Sequence, residues 1–182
     1  GELSIDRLPP PARMTARDTL QAAASSSILG NLPAELTPFI GREPELAALG
    51  QLLGDPQCRL ITIVGLGGIG KTRLAIEAAH LSAELFPDGV WFIPLASLHS
   101  STLIVPAIAA ALDLKFQNPT NPQAELLRHL RSKRALLVLD NAEHLLDGVG
   151  VFTQILSDCP QVKILVTSRE RISLLSEWVF DL

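Results

Sequence analysis

Eight residues, GLGGIGKT at positions 65–72, constrain this chain more than any other segment. They follow an apolar, β-branched run at 60–64 and precede a stretch in which Leu74, Ala78, Leu81 and Leu85 recur at helical spacing. Gly65, Gly67, Gly68 and Gly70 let the backbone turn tightly and direct successive N–H groups to one point. A strand, a glycine turn and a helix in that order set this nest of donors beside the positive end of the helix, which makes a receptor for phosphate oxygens. Lys71 then reaches the β- and γ-phosphates, and the Thr72 hydroxyl becomes a ligand for the Mg2+ that bridges them. The expected ligand is therefore a nucleoside triphosphate with magnesium, lined also by Ile69 within the loop and Arg73 just after it.

The same glycines satisfy a second pattern, G-x-G-x-x-G, through Gly65, Gly67 and Gly70. A dinucleotide site, however, requires an acid at the end of the second strand to hold the ribose, and that run ends in Ala96 and Ser97. It also leaves the Lys-Thr pair without a role, so this reading stays a remote alternative.

Apolar runs alternate with helical patterns along the rest of the chain, the pattern of a parallel sheet covered on both faces. Five strands are expected, at 60–64, 90–95, 135–140, 162–167 and 178–182. A helix after residue 42 carries Leu46, Leu49 and Leu53 on one face, and one over 103–112 contains Pro106. Another opens with Asn121 as cap and Pro122 as first residue. After Asp140, the positions of Ala142, Leu145, Leu146, Val149, Phe152 and Leu156 predict an amphipathic helix carrying Glu143 in its first turn. Residues 1–30, with a proline triplet and an Ala/Ser tract, read as a largely irregular linker or tail with a short helix conceivable over 12–24. Residues 31–182 read as one α/β domain.

Two further segments bear on chemistry. In ALLVLDNAEH, Asp140 ends a strand at the edge where open α/β sheets bind ligands, so it is expected to hold Mg2+ together with Thr72. The bland alternative is a cap for the helix after it. Asn141, beside it, cannot act as a base, and Glu143 is the nearest carboxylate that could, so slow hydrolysis or none is expected. In KILVTSRE, Thr167, Ser168 and Arg169 form a polar end, and Arg169 is expected to neutralise a γ-phosphate unless it pairs with Glu170 or Glu177.

Composition excludes several classes. With 47% hydrophobic but only 4% aromatic residues, the core must be aliphatic, as buried parallel strands require. A net charge of −4 supplies no basic surface for direct nucleic-acid contact by this segment. Cys58 and Cys159 lie far apart, which suggests neither a disulfide framework nor a zinc site. No apolar run reaches the roughly 18 residues of a bilayer span, so no membrane partner and a cytoplasmic location are expected. The first residue is Gly and the last run resembles a strand in mid-course, so a longer parent protein is expected.

FIGREPEL, IVGLGGIGKTRLA, DGVWFIPL, LLVLDNAEH and ILVTSRE, in this order and at these spacings, resemble the STAND class of signalling ATPases. Within that class the likeness is to NB-ARC-like ATPase domains of bacterial transcriptional activators and tetratricopeptide-repeat regulators. The resemblance implies a P-loop NTPase three-layer sandwich with a five-stranded parallel sheet of order 5-1-4-3-2. Residues 65–72 would be the Walker A segment and Asp140 the Walker B acid. Arg169 would be the sensor arginine, brought within reach because the fourth strand lies between the other two. Phe39, Ile40, Gly41 and Arg42 would lie against adenine and ribose. It further implies an ATP/ADP switch in signal transduction or transcription regulation. Its partners would be other domains of the same chain, among them a lid, and it would self-associate on activation. Asn141 departs from the second acid of many relatives, and an actively turning-over ATPase is the alternative.

Overall fold

A computed structural model describes residues 29–34, 38–117 and 120–182. The expected tail, with its short helix over 12–24, lies outside the described residues apart from Leu29 and Gly30.

Five strands form one parallel sheet: β1 (Leu60–Val64), β2 (Val90–Pro94), β3 (Leu136–Asp140), β4 (Lys163–Ser168) and β5 (Glu177–Asp181). Their order across the sheet is β2-β3-β4-β1-β5, the expected 5-1-4-3-2 read from the other edge. Each strand falls within one residue of its predicted position. Among the described residues the helices are α1 (Glu43–Gly54), α2 (Lys71–Leu81), α3 (Ile104–Ala111), α4 (Pro122–Leu130) and α5 (Gly150–Asp158).

Strand periodicity divides the core into two layers. Leu137, Leu139, Ile164 and Val166 face a cluster built with Ile104, Ile108, Leu126 and Phe152 from α3, α4 and α5. Their neighbours Leu136, Val138 and Leu165 face the opposite side, with Ile61 and Ile63, against Leu49 and Leu53 of α1 and Leu74 and Ala78 of α2. The central strands β1, β3 and β4 are therefore buried on both faces, so their sequences show continuous apolar runs rather than alternation, while the edge strands β2 and β5 are only partly covered.

Local chemistry sets the helix limits. Asn121 Oδ1 accepts from the Ala124 N–H at 3.1 Å and Pro122 follows, as expected of a capped start. Pro106 stands in the first turn of α3, where its missing N–H has no intrahelical acceptor to lose. The helix after the glycine loop is shorter than its periodicity suggested. α2 stops at Leu81, which is 62% exposed, and Leu85 belongs to a separate 3-10 turn at Ala83–Leu85.

The largest departure follows β3. The helix expected to begin near Ala142 begins at Gly150, and between them lie a loop and a 3-10 turn, Leu146–Gly148. Ala142 and Leu145 are buried as their spacing required, but a loop buries them. Asn141 turns the chain with φ +64°, a left-handed conformation that Asn tolerates better than most residues and that no helix continues.

At the other edge, Leu29 O accepts from the Val90 N–H and the Asn31 side-chain amide both donates to and accepts from the Phe92 backbone, at 3.0 and 2.6 Å. This short contact occupies part of the open edge of β2.

Candidate functional site

The carboxyl ends of β1, β3 and β4 meet at one place. After β1 the chain enters the glycine loop. Gly68 and Gly70 take φ of +82° and +94°, so these two supply the left-handed turns. Gly65 is required for a different reason. A Cβ there would come within 2.4 Å of Ile69 Cδ1 and 2.9 Å of the Leu182 carbonyl.

Gly70 leads directly into α2, whose first N–H groups have no intrahelical acceptor and open toward the loop. Lys71, at the start of that helix, folds back over the loop. Its Nζ donates to the carbonyls of Gly65 at 2.8 Å and Leu66 at 2.9 Å. The ammonium is thus held against two backbone oxygens of the loop.

The Thr72 hydroxyl donates to Asp140 Oδ1 at 2.6 Å. Thr167, at the end of β4, donates to the same oxygen at 2.6 Å, and its own oxygen accepts from the Asn141 N–H at 2.9 Å. Asp140 is thereby pinned between α2 and β4. No helix starts behind it, so the capping alternative has nothing to cap. A hydroxyl and a carboxylate oxygen in contact beside the glycine loop are hard donors of the kind magnesium takes, and they fit that ion.

Sequence reasoning placed Arg169 beside this group but missed its partner. Arg169 Nε lies 3.1 Å from Glu143 Oε1, whereas Glu177 accepts from the backbone N–H groups of Ile172 and Ser173. The bland alternative, a pairing with Glu170 or Glu177, gives way to one with Glu143, a residue that sits in a loop and not on the predicted helix. The signal was present in the sheet order. With β4 beside β3, the residues after the two strands must be neighbours. The guanidinium also approaches the glycine loop, with Nη2 about 3.5 Å from where a Cβ on Gly67 would stand.

The segment before α1 leans on the same loop. Arg42, in a left-handed conformation with φ +62°, caps the start of α1 and donates through Nη2 to the Ile69 carbonyl at 3.2 Å. Its Nη1 meets Glu45 Oε1 at 3.3 Å. Arg73 reaches the other way, donating to the Pro38 carbonyl at 2.9 Å with its guanidinium 5.7 Å from the centre of the Phe39 ring. Phe39 packs on the α1–α2 side of the core, and Ile40 is 88% exposed. Gly41 turns the chain from Ile40 into Arg42 and α1 at φ +81°.

Comparison with known proteins fits this arrangement. The NB-ARC domain family model matches residues 43–174. A putative HTH-type transcriptional regulator of Mycobacterium tuberculosis is 42% identical over 122 residues, covering 66% of this chain and 14% of the relative. The regulatory protein AfsR of Streptomyces griseus is 30% identical over 152 residues, covering 78% of this chain and 15% of that one. The chain thus spans about a seventh of the length of these relatives. Among solved structures, Cdc6p of Pyrobaculum aerophilum superposes with a TM-score of 0.58 at 20% identity, covering 88% of this chain and 48% of the other. A STAND protein with a tetratricopeptide repeat sensor from Pyrococcus horikoshii gives 0.50 at 19% identity, covering 83% and 24%. These two likenesses concern the fold.

Proposed function

Since the chain belongs to the NB-ARC domain family, we propose that it is the ATP/ADP-binding switch module of a larger regulator, with slow hydrolysis or none. The observation that carries this reading is the convergence of Thr72 and Thr167 on one oxygen of Asp140, both at 2.6 Å, at the mouth of the glycine loop. Magnesium, when bound with the nucleotide, supplies charge neutralisation across the β- and γ-phosphates. Thr72 and Asp140 would hold it, directly or through water. Lys71 exchanges the Gly65 and Leu66 carbonyls for phosphate oxygens, so the loop carries a cation before and after loading. Arg169 answers to the γ-phosphate. Phe39, Ile40, Gly41 and Arg42 receive the adenine and ribose, and Arg73 braces that segment through Pro38 and Phe39 rather than through a phosphate.

Slow turnover follows from the residues around the acid. Asn141 has no basic group, and Glu143, the nearest carboxylate, is tied to Arg169. A switch needs preferential binding of one nucleotide state in one domain arrangement, by a free energy comparable with the gap between arrangements. The remaining domains of the parent chain are the partners that read it, and the relative named as a putative HTH-type transcriptional regulator supports placing this module in transcription control. Among the described residues, no helix is long and apolar enough to cross a membrane.

The test is calorimetric titration of the chain with ATP, ADP and NAD in Mg2+, beside Lys71→Ala, with phosphate release followed in parallel. We expect adenine-nucleotide binding that Lys71→Ala weakens about 100-fold, the loss of a charge-assisted contact to phosphate, with little phosphate released. Brisk Lys71-dependent hydrolysis would move the module to the turning-over ATPases. Binding of NAD that is indifferent to Mg2+ would favour a dinucleotide site instead.

A further inference from the structure

The ion pair between Glu143 and Arg169 has an asymmetry that the switch reading does not use. Glu143 is withdrawn, with 16% of its side chain exposed, and only Oε1 is engaged; Oε2 is buried without a hydrogen-bond partner. Arg169 is open, 68% exposed, and its guanidinium lies against Gly67 of the glycine loop, with Nη1 and Nη2 outside the ion pair. A carboxylate with one satisfied oxygen is a poorly solvated anion whose compensation is a single guanidinium N–H. The same guanidinium faces the place where a terminal phosphate is expected.

On the switch reading, which this inference rests on, a triphosphate reaches Arg169 and a diphosphate stops short of it. We infer that Glu143 is a specificity-determining residue that competes with the γ-phosphate for Arg169 and so holds down the preference of the site for triphosphate over diphosphate. In the empty and diphosphate-bound states the pair is intact. Triphosphate binding sets a second anion against a guanidinium whose charge Glu143 already offsets through Nε, and beside that withdrawn carboxylate, and both effects oppose ATP without touching ADP. The competition keeps the two nucleotides close in affinity, so a modest contribution from a neighbouring domain suffices to tip the balance.

The experiment measures ATP and ADP affinities in Mg2+ for the wild-type chain, Glu143→Gln, Glu143→Ala and Arg169→Gln. Gln keeps the shape and removes the charge. Because the pair is open on its Arg169 side and such pairs are weak, we expect ATP affinity to rise about three- to fivefold in both Glu143 variants, while ADP affinity stays within about twofold and serves as the measure of correct folding. An unchanged ATP-to-ADP ratio overturns the competition, and so does a fall, which would make Glu143 a support that orients Arg169. Loss of phosphate release in Glu143→Gln at an unchanged ratio also overturns it and makes Glu143 the base. Arg169→Gln separates the two levels. If it leaves ATP affinity unaltered, the sensor reading itself fails; if it lowers ATP affinity while the Glu143 variants leave the ratio where it was, the competition alone fails.

Discussion

Cations meet backbone carbonyls at both ends of the sheet, and the two ends use the contact differently. At the amino end, Arg59 donates to Leu156 at 2.6 Å, Cys159 at 2.6 Å and Val162 at 2.9 Å, closing the C-terminus of α5. Lys163 does the same for α1 through Leu52 and Asp55. Leu52 and Leu156 lie in the last turns of their helices, at the negative end of each dipole, and Asp55, Cys159 and Val162 follow them, so the cations close both helix ends. Burial, together with the neighbouring Arg59 and Arg134, pulls the Lys163 pKa below the usual lysine range. At the carboxyl end, Lys71 also donates to two carbonyls, but they belong to a loop that anions can enter. One end spends its charge on architecture; the other holds it in reserve.

That contrast can be broken at either end. The largest effect on stability is expected from Arg59→Ala. It strips the three carbonyls of their side-chain donor and should cost about 2–3 kcal/mol in denaturant unfolding, with nucleotide affinity unchanged. A parallel loss of ATP binding would mean that the two ends are not independent. Next in size is Thr167→Val, which removes the donor to Asp140 and leaves the Asn141 N–H without its acceptor. It should lower stability by about 1 kcal/mol and Mg2+-dependent ATP affinity by about tenfold, and Thr167→Ser should restore both. The smallest effect has the opposite sign. Thr62 is fully buried in β1 and its hydroxyl has no partner, so Thr62→Val should raise stability by about 0.5–1 kcal/mol. A loss on thermal unfolding would show that the hydroxyl is satisfied after all.

How much of this was legible beforehand differs by region for a physical reason. Strands buried on both faces announce themselves as apolar runs, and the two-sided burial of Leu136 to Leu139 leaves little choice of structure. The glycine loop was legible because its chemistry is local: Gly68, Gly70, Lys71 and Thr72 are adjacent in sequence and act together. The segment after β3 was not. Ala142 and Leu145 are buried at helical spacing, yet spacing reports burial rather than hydrogen bonding, and the left-handed Asn141 precludes the helix that the periodicity suggested. Glu143 and Arg169 are 26 positions apart in sequence and meet only because β4 lies beside β3. Thr167 likewise stood out as polar, while its bond to Asp140 depended on strand order.

One measurement tests the division between the two ends most directly: the rise in melting temperature that saturating Mg-ATP produces in the wild-type chain, in Lys71→Ala and in Arg59→Ala. Ligand at about 100 times its dissociation constant stabilises by about 2.7 kcal/mol, roughly 5–10 °C for a chain of this size. The account predicts that Arg59→Ala melts lower but keeps the whole rise, and that Lys71→Ala melts near the wild type and loses most of it. A full rise in Lys71→Ala, or its loss in Arg59→Ala, would contradict the assignment of nucleotide binding to the carboxyl end of the sheet.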